Sequence, residues 1–347
     1  MKIAFLTAGG LAPCLSASIG SLINHYNQLV PDAELLGYLN GYKGLLLGRS
    51  INIPNTVKEK AEVLYSFGGS PIGNSRVKLT NAEDCVKQGY IKSGEDPLEV
   101  AANQLVKDDV NILHVIGGDD TNTMAAQLSV YLKKNGHDLT VVGLPKTVDN
   151  DIFPVTQSLG AWTAAEQGAI FFENIANENT TSSRQLIIHE VMGRHCGWLT
   201  AYTAHLYRER LKQRTFLPEF LIDQERWDVD AIYIPELEIN FNDECERLMK
   251  LMDKKDSVNI FLSEGAGTGT ILKEKESSGE EVIRDAFEHV ALDTLNPGQW
   301  FAKQLANRLE ADKTLVQKSG YFARSAAPNA QDLELIIKSG ELATQMA

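Results

Sequence analysis

The sequence predicts an α/β fold made of two doubly wound, Rossmann-like lobes with mainly parallel sheets and a cleft between them. Three observations point there. At 347 residues the chain exceeds the size that one hydrophobic core usually organises. Short apolar, β-branched runs alternate with longer helical patterns, as they do when helices cross over between parallel strands. Each run ends in small or polar residues, and open α/β sheets bind ligands at the carboxyl ends of their strands.

In chain order, the run 2–7 (KIAFLT) gives way to AGG, 111–116 (NILHVI) to GGDD, and 139–143 (LTVVG) to PKTVDND. Further on, 185–191 (QLIIHEV) precedes MGR, 230–234 (DAIYI) precedes PE, and 257–262 (SVNIFL) precedes SEG. The stretch 121–136 has a helical pattern, with Leu128 and Leu132 on one face, lysines in the last turn and Gly136 as its stop. Capping by Asp120 or Thr121 is the plain structural reading of its start and is worth about 1 kcal/mol. That reading leaves the glycine pair Gly117-Gly118 unexplained. Clusters around 66–76 and 273–281 read as loops, and no internal repeat or low-complexity tract interrupts the pattern.

Composition narrows the function classes. A hydrophobic fraction of 43% with 23% charged residues describes a globular protein, and no apolar stretch approaches the ~18 residues of a membrane span. The apolar run at the start is too short for a signal-peptide core, so a cytoplasmic protein without a membrane partner is expected. A formal charge of −13 repels the phosphate backbone of nucleic acid, and any phosphorylated substrate must be met by local basic residues. Cys14, Cys85, Cys196 and Cys245 are scattered without a CxxC pair, which argues against disulfides and a zinc site. Walker, GxGxxG, HExxH and GxSxG signatures are absent.

Three segments stand out instead: Gly117-Gly118-Asp119-Asp120-Thr121, Pro145-Lys146-Thr147-Val148-Asp149-Asn150-Asp151 and Met192-Gly193-Arg194. With Thr7-Ala8-Gly9-Gly10, Gly41-Tyr42-Lys43-Gly44, Gly73-Asn74-Ser75-Arg76, Ile234-Pro235-Glu236 and Ser319-Gly320-Tyr321-Phe322-Ala323-Arg324, their order along nearly the whole chain resembles the phosphofructokinase family. Phosphoryl transfer to a sugar hydroxyl needs a base, cations for the developing charge, and backbone that comes close to phosphate. This set supplies all three.

The resemblance implies a role for each position. Asp149 is the general base toward the sugar 1-hydroxyl, with Asp151, Thr147 and Arg194 completing the catalytic set. In an extended DND segment Asp149 and Asp151 fall on one side; a turn-forming Asx cluster is the structural alternative. Gly9, Gly10, Arg76, Gly118, Asp120, Thr121 and Lys146 meet the phosphoryl donor, and Asp119 is associated with magnesium. Thr147, Asp149, Arg184, Met192, Gly193, Arg194, Glu236, His289, Tyr321 and Arg324 meet the sugar phosphate. Ala291 departs from the lysine expected there in many pyrophosphate-using members. His114 and His189, within strand patterns, read as structural.

ATP-using members typically have glycine where this chain has Asp120 and Lys146. A carboxylate beside a nucleotide's α-phosphate, at about 4 Å and an effective dielectric near 20, repels it by roughly 4 kcal/mol, about a thousandfold in affinity. Lys146 fills the vacated space and offers an ammonium to pyrophosphate. An Asp120–Lys146 ion pair that tunes nothing is the alternative. The resemblance therefore implies a magnesium-dependent, reversible transfer from pyrophosphate to fructose 6-phosphate by a homodimer or homotetramer. An ATP-dependent enzyme, a sedoheptulose 7-phosphate-using member and a non-catalytic regulatory subunit are the other readings. Residues 1–158 with about 292–330 are expected to form the donor lobe, and 159–291 with the C-terminal segment the sugar-phosphate lobe.

Overall fold

The computed structural model describes residues 1–279 and 295–347. The chain divides into two compact units, Met1–Thr163 with Arg324–Ala347, and Ala164–Ala323. The first holds a five-stranded sheet. Strands β1 (Lys2–Thr7), β2 (Glu34–Tyr38), β3 (Ser50–Asn52), β4 (Ile112–Gly117) and β5 (Thr140–Pro145) lie in the order β3-β2-β1-β4-β5. Every pairing is parallel except that of the edge strand β3 with β2. β1 and β4 are almost wholly buried, which is why both read as unbroken apolar runs. Strand order reverses between them, and the crevice that opens at such a switch point lies beyond their carboxyl ends. Those ends carry Ala8-Gly9-Gly10 and Gly118-Asp119-Asp120.

The second unit holds, among the described residues, a four-stranded parallel sheet. β6 (Gln185–Val191), β7 (Ala231–Tyr233), β8 (Ser257–Ser263) and β9 (Lys313–Lys318) lie in the order β7-β8-β6-β9. β6 is central and buried throughout, and its end delivers Met192-Gly193-Arg194. Leu186, Ile188, Leu248, Ile260, Leu262 and Phe301 form the heart of a core between this sheet and helices Phe241–Lys255 and Pro297–Arg308.

The expected division of the chain is corrected at its second boundary. β9 pairs with β6 in register from Gln185↔Lys313 onward, so the segment 297–323 belongs to the second unit. Helix Ala330–Gln345 belongs to the first, where it packs against helix Leu15–Leu29. One junction shows why: Asp332, fully buried, accepts hydrogen bonds from Gly160 N (3.1 Å), Thr163 N (2.7 Å) and Thr163 Oγ1 (2.6 Å). A buried carboxylate needs such donors, and they tie the C-terminal helix to the first unit. The 273–278 stretch, expected as loop, continues helix Thr268–Ser278 up to its C-cap at Gly279.

Candidate active site

In the first unit the chain leaves β1 through Gly9, whose φ of +88° is a left-handed conformation that glycine takes without strain. A Cβ there would stand 3.2 Å from Lys146 Nζ and 3.4 Å from Thr121 Oγ1, and one on Gly10 would stand 3.7 Å from an Arg76 guanidinium nitrogen. Thus Gly9, Gly10, Arg76, Thr121 and Lys146, expected at the donor, converge on one turn. Gly9 N donates to Ser75 O (2.9 Å) and Asn74 Nδ2 to Gly9 O (2.7 Å), which fixes that turn against the loop carrying Arg76.

Lys146 is held from both ends. Its backbone N donates to Gly117 O (2.9 Å), and its Nζ donates to Gly10 O at 2.5 Å. Only 2% of the residue is exposed. Burial lowers its pKa to about 8; nearby Cys14 and Asp149 act in the opposite direction, and Arg76 adds to the lowering. The buried ammonium therefore sits where an anionic ligand would repay its desolvation.

The helix after β4 runs Asp119–Lys134 with Gly118 as N-cap and no side-chain cap hydrogen bond. Neither Asp120 nor Thr121 caps it; both aspartates occupy its first turn, where the helix dipole favours negative charge. Leu128 and Leu132 are buried and Gly136 follows with φ +79°, as the pattern predicts. Thr121 is 3% exposed, and its carbonyl accepts the Tyr42 hydroxyl at 2.8 Å. Asp120 pairs with Lys78 at 2.9 Å, so the alternative of an Asp120–Lys146 pair does not hold. Asp119 has a raised pKa, from partial burial first and then from the charges of Asp151 and Asp120.

The DND segment is not extended. Asn150 has φ +56°, and its side-chain oxygen accepts from Ser158 N (2.7 Å) and Ser158 Oγ (3.1 Å). Asp149 N donates to Thr147 Oγ1 (3.1 Å), and Ser158 Oγ donates to Thr147 O (2.8 Å). A turn thus describes the backbone, with the Thr147 hydroxyl as its local side-chain acceptor. That turn brings Asp149 within electrostatic reach of Lys146, and Asp151 within reach of Asp119.

In the second unit Gly193 has φ +135°, and a Cβ there would stand 2.9 Å from Ser263 Oγ. Ser263 Oγ donates to Gly193 O (2.5 Å), Gly265 N donates to the same oxygen (3.1 Å), and Gly193 N donates to Glu264 Oε1 (3.3 Å). These bonds lock the β6 and β8 ends together and present Met192 and Arg194. Met192 packs on Gly320 at the end of β9. Glu236 Oε1 accepts from Gly197 N (2.7 Å), the N-cap of helix Trp198–Lys212. Tyr321 is 77% exposed, and Arg324 ends the short helix Gly320–Arg324.

Arg184 is the exception. It precedes β6, at the end of the sheet opposite Met192; eight residues at about 3.3 Å each separate the two by roughly 25 Å. Its guanidinium donates to Asp253 Oδ1 (2.8 Å), Leu309 O (2.7 Å) and Glu310 O (2.8 Å), an anchoring role. His289 and Ala291 lie outside the described residues. His114 and His189 are buried on Tyr26 (2.6 Å) and Ser319 (2.7 Å), with pKa values lowered by burial to about 4 and about 3. Asn74, Lys78, Ser158 and Ser263 were given no role by the motifs; Asn74 stands within one of them, and Lys78 and Ser263 act on partners distant in sequence.

Two α/β units, the first with glycine-rich turns, a buried lysine and neighbouring acids at its strand ends, make an arrangement suited to phosphoryl transfer. The phosphofructokinase family profile matches residues 2–347, and the chain belongs to that family. It is 56% identical over 346 residues to pyrophosphate–fructose 6-phosphate 1-phosphotransferase of Methylotuvimicrobium alcaliphilum, covering 100% of this chain and 85% of the relative. The enzyme of the same name from Methylomonas methanica is 58% identical over the same extent. Among solved structures, the pyrophosphate-dependent phosphofructokinase of Marinobacter aquaeolei superposes with a TM-score of 0.72 at 20% identity, covering 99% of this chain and 75% of that one. At that identity the likeness concerns the fold.

Proposed function

We propose that this chain transfers a phosphoryl group reversibly from pyrophosphate to the 1-hydroxyl of fructose 6-phosphate, giving fructose 1,6-bisphosphate and phosphate. The observation that carries the donor assignment is the Lys146 ammonium, buried against Gly9, Gly10 and Thr121. The names of the relatives point the same way.

Asp149 accepts the proton of the 1-hydroxyl as that oxygen attacks the nearer phosphorus of pyrophosphate. The bridging P–O bond breaks and the leaving phosphate carries its charge toward Lys146 and Arg76. Partial burial, and after it the charges of Asp151 and Asp120, raise the cost of ionising Asp119, a repulsion that a divalent cation relieves. Asp119 would hold magnesium, which takes one or two carboxylates and completes its shell with water and phosphate. When bound, magnesium neutralises charge on the donor oxygens. Met192, Gly193, Arg194, Glu236 and Tyr321, all of the second unit, and Arg324, of the first, are the residues assigned to the sugar phosphate. Because the bond broken and the bond made are close in energy, the reaction runs in either direction. Assembly as a homodimer or homotetramer and a cytoplasmic location belong to the same proposal; no helix among the described residues is long and apolar enough to cross a membrane.

The test is the reverse reaction. Fructose 1,6-bisphosphate, inorganic phosphate and magnesium should yield pyrophosphate, followed by phosphorus NMR. No pyrophosphate under conditions where the product sugar forms would remove the assignment.

A further inference from the structure

The Asp120 carboxylate presents a problem for any anionic donor. It stands at the start of the helix beside the donor turn, is 70% exposed, and would repel pyrophosphate as well as a nucleotide. The structure answers with Lys78. Its Nζ lies 2.9 Å from Asp120 Oδ2, and its own side chain is only 21% exposed. The lysine is the fixed member of the pair. On either side of it Val77 and Leu79 are buried, and Leu79 N contacts Met124 Sδ at 3.0 Å, one turn along the helix that begins at Asp119. Lys78 O accepts from Asn81 N at 3.2 Å. Arg76, two residues earlier, reaches the Gly10 turn. The same loop therefore brings one cation toward the donor and a second to the carboxylate beside it.

We infer that Lys78 is a positioning residue for donor use: it neutralises Asp120 toward pyrophosphate and holds its carboxylate in place, so that Asp120 hinders a nucleotide without repelling the smaller donor. A pair this exposed adds little to stability, which leaves its effect on a neighbouring anion as its main consequence. This inference rests on the proposed role of Asp120 in donor choice.

A double-mutant cycle on the full chain separates the two ideas. Lys78→Met should raise KM for pyrophosphate about fivefold with kcat little changed, since a lost screening partner weakens donor binding and not the chemical step. Lys78→Arg should restore KM. Adding Asp120→Asn to Lys78→Met should bring KM back near the parent value, because the uncompensated carboxylate is gone. An equal rise in KM whether or not Asp120 is present, or no rise at all, would overturn the inference. Asp120→Gly in the Lys146→Gly background tests the underlying reading: if it adds no ATP use, the donor-choice role of Asp120 fails, whatever the coupling to Lys78.

Discussion

Lys146 Nζ donates to the carbonyl oxygen of Gly10 at 2.5 Å, across 136 residues of sequence. The contact joins the end of β5 to the turn after β1, and it leaves a cation buried where a donor phosphate is proposed to bind. Burial makes that cation hard to keep: its pKa is lowered to about 8.

A pH dependence follows, with a definite sign. The unfolded lysine holds its proton up to about pH 10.4, and the folded one releases it near pH 8. Between these values the unfolded state binds more protons, so the contribution of Lys146 to stability rises with pH through that window. Donor binding goes the other way, since only the ammonium attracts pyrophosphate. KM for pyrophosphate should climb as pH passes about 8, and Lys146→Met should flatten that climb while raising KM at pH 7. Initial rates from pH 6.5 to 9.5 test this.

Replacing Asp149 with Ser removes the proposed base. A positioned base contributes about 10²–10⁴-fold, so kcat should fall by that order. Fructose 6-phosphate binding, followed by calorimetry, should remain within about threefold of the parent, since a single neutral substitution removes little ground-state contact.

The Asp120→Gly, Lys146→Gly double variant should gain ATP use. The full repulsion estimated for a close charge pair does not apply, because Asp120 is 70% exposed and screened by solvent. A gain in kcat/KM for ATP of about tenfold or more, with a fall for pyrophosphate, is expected. Steady-state rates with both donors measure it.

Arg184→Met should act on stability alone. Its three hydrogen bonds tie the start of β6 to Asp253, Leu309 and Glu310, and hydrogen bonds to a charged group are worth about 1.5–3 kcal/mol. A fall in Tm of at least about 2–4 °C with an unchanged KM for fructose 6-phosphate is the expected result, measured by calorimetry and initial rates.

Much of this arrangement is legible in the sequence, most clearly at β1, β4, β6 and β8, which are buried on both faces. KIAFLT and QLIIHEV coincide with β1 and β6, and the other four runs mark strands to within a residue or two at either end. β3, an exposed edge strand of three residues, and β9, half-exposed with lysine at both ends, carry no such apolar run. The residues proposed for the donor are legible because they stand in short glycine motifs, Gly9-Gly10 and Gly117-Gly118. The roles of Lys78 and Asp332 are not, since each depends on a partner that the fold brings in from far along the chain. The anchoring bonds of Arg184 are not legible either: it stands just before β6, and its partners Asp253, Leu309 and Glu310 come from far along the chain.

The most direct test of the central claim compares pyrophosphate with ATP at equal concentration, with fructose 6-phosphate and magnesium, detecting fructose 1,6-bisphosphate itself. Turnover with pyrophosphate and little or none with ATP is the predicted result. Turnover with ATP alone would contradict the donor roles given to Lys146 and Asp120, and turnover with neither would contradict the proposed reaction.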